Sequence, residues 1–71
     1  MARPFETPLE MAQRHVTEGE ERCRRQGLLV QSMAARGQDT AEAERLLMNF
    51  EQMLTMMRAD LQRLRDQAST S

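Results

Sequence analysis

Few residues in this chain have side chains capable of chemistry, and their spacing limits what that chemistry could be. Cys23 could serve as a redox or metal-binding thiol, His15 as a pH-sensitive group or a ligand, and Arg22, Arg24 and Arg25 as a phosphate-binding patch. Each has a plainer explanation. Cys23 is the only cysteine, so no internal disulfide can form, and one cysteine with one histidine cannot build a structural zinc site in a single chain. In mid-helix, at a position that wants a small apolar side chain, Cys23 reads as a core residue. His15 falls near Asp60 once the chain is folded back on itself, and reads as a solvated or hydrogen-bonded histidine at an interface. The three arginines each follow a glutamate by four residues (Glu18, Glu20 and Glu21), which compensates their charge locally and reads as a solvated, ion-paired face. Nucleophile-and-base pairs and carboxylate pairs in apolar surroundings are both missing from the pattern. No catalytic residue, cofactor, metal or small-molecule substrate is expected, and an enzyme is the class that the sequence supports least.

Composition narrows the architecture. With 71 residues there is room for one small domain that can barely bury enough apolar surface to hold itself together. Isoleucine, tryptophan and tyrosine are absent and valine occurs twice, while leucine, methionine, alanine, glutamate, glutamine and arginine dominate, so the chain should be all-α. The formal net charge is -1, without the basic excess that drives nucleic-acid binding, and every one of the ten basic residues is arginine. The first ten residues, "MARPFETPLE", hold no apolar core of signal-peptide length, and no uncharged apolar run approaches the ~20 residues that span a bilayer. Export and membrane insertion are not expected, and a reducing cytoplasm is the natural setting for the single thiol.

Start and stop signals divide the chain in two. "TPLE" at Thr7 to Glu10 combines a capping threonine, a proline at the first helical position and a glutamate three residues after the cap. It predicts a first helix over about 8–36, ended by Gly37, which can take the left-handed conformation. "DTAE" then repeats the start signal, with Asp39 as cap and Glu42 placed to bond back to it. A turn at 37–39 and a second helix over about 40–67 follow, with a frayed tail at 68–71. Within one domain the two helices should form an antiparallel hairpin.

Periodicity supports the hairpin. Ala43, Leu47, Phe50, Leu54, Met57, Leu61, Leu64 and Ala68 alternate in steps of four and three, the seam of a left-handed coiled coil. The matching row in the first helix is Leu9, Ala12, Val16, Gly19, Cys23, Gln26, Val30 and Met33, with smaller side chains. Folding near Gln38 sets Gly19 opposite Met57, Cys23 opposite Leu54, and the lone polar seam residue Gln26 opposite Phe50. Small faces large along most of the seam, which lets two helices approach closely. Glu20 and Arg58 should pair across it, and Glu10 to Arg14, Glu18 to Arg22, Glu20 to Arg24 and Glu21 to Arg25 are spaced to pair along the first helix. Gly27 has no evident packing role.

Apolar residues outside the seam point to a partner. One flank is charged, whereas the other carries Leu29, Leu46 and Met53, with Met11 and Met56 just beyond and His15 and Asp60 among them. In an antiparallel hairpin these positions share one side, and an apolar strip on so thin a fold marks an association surface. The sequence thus predicts a protein-protein interaction or structural module whose interface comprises Met11, His15, Leu29, Leu46, Met53 and Met56. Its expected partner is a second copy, giving a four-helix bundle, or another helical protein. The alternative is a small nucleic-acid-associated regulator using Arg22, Arg24 and Arg25.

Two segments also carry a resemblance. His15, Glu18, Gly19, Glu20 and Arg22 form H-x-x-E-G-E-x-R, and Gly37, Asp39, Thr40, Ala41, Glu42, Ala43, Leu46 and Leu47 form G-x-D-T-A-E-A-x-x-L-L. In these motifs, over about residues 14–65, the chain resembles a group of short bacterial proteins of uncharacterised function. The resemblance implies a helical hairpin and assigns no active site.

Overall fold

The computed structural model describes residues 5–70, and they form two helices, α1 (Pro8–Ala35) and α2 (Ala41–Thr70), packed against each other as a hairpin. Met1 to Pro4, and Ser71 at the end of the expected frayed tail, lie outside the described residues.

Local chemistry places the helix ends. The Thr7 hydroxyl accepts the Glu10 amide at 3.1 Å and the Glu10 carboxylate accepts the Thr7 amide at 3.1 Å, so the two side chains satisfy each other's backbone donors. At the far end Gly37 has φ +72°, and its amide donates to the Ala34 carbonyl at 3.0 Å while the Gln38 amide donates to Met33 at 2.9 Å. These two bonds close the last turn of α1 and turn the chain away from the helix axis. The second start signal works differently from the reciprocal box expected of it. The Asp39 carboxylate accepts the Ala41 amide at 3.0 Å, and α2 begins at Ala41, with no bond from Glu42 back to Asp39. At its other end α2 runs three residues past the expected Gln67, because Ser69 and Thr70 turn their hydroxyls onto the Arg65 and Asp66 carbonyls, at 3.0 and 3.2 Å.

The seam is where the alternating pattern placed it. All eight α1 seam residues from Leu9 to Met33, and the α2 seam residues from Ala43 to Leu64, are buried or half-buried, while Ala68 at the end of the row is exposed. The closest approach is at Gly19. A methyl group built there would lie 3.2 Å from both Leu54 Cδ1 and Met57 Sδ, so Gly19 sits between these two side chains rather than opposite Met57 alone. Gln26 departs from its expected neighbour as well. Its amide donates to the Ala43 carbonyl at 2.9 Å, tying the middle of α1 to the first turn of α2, whereas the Phe50 ring lies under the Arg22 guanidinium, 5.6 Å from its centroid.

The ion pairs show competition for each carboxylate. Across the seam Arg58 reaches Glu20 at 3.1 Å, the pair the fold-back register predicts. Of the four pairs expected along α1, Glu21 to Arg25 forms, at 3.6 Å. The other three are displaced. Glu10 bonds the Thr7 amide, so Arg14 turns instead to Glu6 at 3.0 Å and Glu18 at 3.3 Å; Glu18 is then taken, and Arg22 lies over Phe50. With Glu20 held by Arg58, Arg24 pairs with Glu21 at 2.6 Å.

Candidate interaction surface

The hairpin is a single layer. Its extents are 54 × 25 × 13 Å, and the smallest of these is little more than the ~10–12 Å diameter of one helix with its side chains. A compact chain of this length would have a radius of gyration near ~11 Å, against the 15.8 Å observed. Two helices touching along one line can bury only the residues on that line. Hence Ala12, Leu54 and Leu61 are the only buried apolar side chains among the described residues, and no large side chain is fully enclosed.

The large apolar residues outside the seam face outward. Met11, Leu29, Leu46, Met53 and Met56 are each between 41% and 68% exposed, and His15 is exposed among them. Helical geometry explains why they share a face. Positions one before each seam residue that begins a three-residue step project roughly a quarter-turn from the contact line, to the same side on both antiparallel helices. His15, Arg22 and Leu29 form that row on α1, and Leu46, Met53 and Asp60 on α2. All six positions of the sequence-derived surface therefore lie exposed on the hairpin. Leu28 and Met48 are also more than half exposed, and they lie off this face, at positions turned away from the seam row.

Near the open end of the hairpin a shallow groove of about 210 Å³ opens onto the same face, with Met11, His15, Met57, Asp60 and Leu64 among its lining residues. The seam pattern alone did not reveal it, because its floor depends on how deeply the helices nest beside Ala12. His15 and Asp60 both line it, one from each helix. The Asp60 carboxylate accepts an Arg63 hydrogen bond at 2.8 Å on its own helix. On the opposite, charged edge, Cys23 is half-buried at the bottom of a second open groove bordered by Glu20, Arg24, Glu51 and Arg58. No other cysteine or histidine approaches it, and no group of three or more metal-binding side chains occurs among the described residues.

The arginine patch is locally neutralised. Arg24 and Arg25 share the Glu21 carboxylate, and the hydrogen bond from Arg24 holds the Glu21 carboxyl below the usual carboxylate range. Arg22 is drawn toward Phe50, an attraction between a cation and the electron-rich ring face. Arg14, bridging Glu6 and Glu18, is held more firmly in its charged form, chiefly by its hydrogen bond to Glu6. No helix among the described residues is long and apolar enough to cross a membrane. No family model, curated protein or solved structure matches the chain.

Proposed function

We propose that this chain is a non-catalytic protein-interaction module that associates with a second copy of itself, burying the strip of Met11, His15, Leu29, Leu46, Met53 and Met56 in a four-helix bundle. One observation carries the reading. The hairpin exposes 5622 Å², whereas a folded monomer of 8.2 kDa is expected to expose about 4,500 Å². The surplus of about 1,100 Å² per chain exceeds the ~800 Å² that each partner contributes to a standard stable interface. Methionine suits such a surface, because its unbranched thioether chain fits facing side chains of different shapes. Its lone thiol suits a reducing cytoplasm, where we place the protein.

A nucleic-acid regulator built on Arg22, Arg24 and Arg25 draws less support, since two of these arginines are paired to one glutamate and the third lies over Phe50.

Sedimentation equilibrium at micromolar concentrations tests the reading. The unsubstituted chain should give twice its single-chain mass. The triple variant Leu29→Glu, Leu46→Glu, Met53→Glu should sediment as one chain with its helical circular dichroism retained. A single-chain mass for the unsubstituted protein, or an unaltered dimer in the variant, removes the strip as the contact surface.

A further inference from the structure

The face that bears the strip presents one row per helix, with a residue every seven positions and successive levels about 10.5 Å apart. Gly19 lies between the levels of Leu54 and Met57. The rows are therefore in step, with Leu29 level with Leu46, Arg22 with Met53, and His15 with Asp60. The last pair lines the groove at the open end.

A face-to-face homodimer with two-fold symmetry has two choices of axis in its contact plane. An axis across the helices sets each helix on its own copy. Centred on the strip, it stacks Arg22 on the partner's Arg22, Asp60 on the partner's Leu46 and His15 on the partner's Leu29. An axis along the helices sets α1 on the partner's α2 at equal levels. Leu29 then meets the partner's Leu46, Arg22 meets the partner's Met53, and His15 meets the partner's Asp60, each contact occurring twice. Both choices make neighbouring helices antiparallel, so helix direction does not separate them. Charge does.

The crosswise arrangement gains rim pairs such as Glu18 with the partner's Arg25, and exposed pairs of that kind add little. Its centre meanwhile sets like charges together and covers a carboxylate with leucine, and both are costly once water is excluded. The lengthwise arrangement sets no like charges together and covers no carboxylate with leucine; the charge it covers, Arg22 against the partner's Met53, already lies over the Phe50 ring. It also forces the register, since an axis parallel to the helices allows no sliding along them. Resting on the self-association reading above, we infer that the two copies dock lengthwise, with their turns at the same end, so that each groove is completed by the partner: His15 of one chain lies against the partner's Asp60, and Leu29 against the partner's Leu46.

Disulfide trapping in a Cys23→Ser background tests the arrangement, because a disulfide requires Cα atoms within about 7 Å. Oxidising an equimolar mixture of His15→Cys and Asp60→Cys chains should yield a covalent dimer containing one of each. A mixture of His15→Cys and Leu29→Cys chains should yield no such dimer. Linkage in the second mixture, or in neither while the unsubstituted protein sediments at twice its single-chain mass, overturns the lengthwise arrangement and leaves self-association standing. A single-chain mass for the unsubstituted protein overturns self-association itself, and the arrangement with it.

Discussion

Gly19 and Gly27 make a matched experiment, because both lie inside α1 and only one faces the seam. Replacing a helix-interior glycine by alanine ordinarily stabilises by about 1 kcal/mol, through the lower backbone entropy lost on folding. At Gly27 a new methyl group meets nothing within 4 Å, so the full gain should appear. For a domain of this size that is a rise of roughly 4–8 °C in melting temperature. At Gly19 the same methyl group would stand 3.2 Å from Leu54 Cδ1 and 3.2 Å from Met57 Sδ, closer than ordinary van der Waals contact. Both neighbours are side-chain ends that can retreat by a few tenths of an ångström, so the crowding should cost about 1 kcal/mol, the low end for an added methyl group in a packed site. Gly19→Ala should accordingly leave stability near that of the unsubstituted chain, and Gly19→Leu should lower it by more than about 2 kcal/mol. Thermal unfolding followed by circular dichroism, with every variant at one protein concentration, measures the difference. If Gly19→Ala melts as high as Gly27→Ala, the close approach at Gly19 is not a constraint and the nesting of the two helices is wrong.

Gly37 should respond with the opposite sign. At φ +72° an alanine is strained, so Gly37→Ala should destabilise by about 1 kcal/mol or more in the same melts, though nothing crowds the position. Glu21 should titrate below the ordinary glutamate value in a carbon-detected NMR titration, because Arg24 hydrogen-bonds its charged form, and in Arg24→Ala it should return toward that value. With its folded pKa depressed, whatever Glu21 contributes to stability is present above the unfolded glutamate pKa and is lost as pH falls through the folded value. The Glu21 side chain is 44% open to solvent, so raising the salt concentration should shrink that contribution.

Much of the fold was legible from particular residues. "TPLE" announces the start of α1 because its cap, proline and glutamate lie within four residues and need no distant partner. Gly37 is legible for a similar reason, since its left-handed conformation is a demand of the backbone. The seam row was readable because a coiled coil repeats the same geometric requirement at every turn. Ion pairing along α1 was less so, as spacing tells which charges can meet and not which compete. Arg14, Arg22 and Arg24 all left their expected glutamates once Thr7, Phe50 and Arg58 entered the count. The exposed apolar strip was legible as a set of positions, because the residue before each seam position that begins a three-residue step must project to the side. The groove at its open end was not.

By itself, the order of residues determined two helices, the place of the turn and the faces turned inward, because caps, backbone conformation and periodicity act over one or two helical turns. Only the packed hairpin decided how Gly19 nests between Leu54 and Met57, where the Gln26 amide finds the Ala43 carbonyl, and how thin the layer is. Those outcomes depend on distances between atoms far apart in the chain, which no local rule supplies. From that thinness follows the unburied surface on which the proposed association rests.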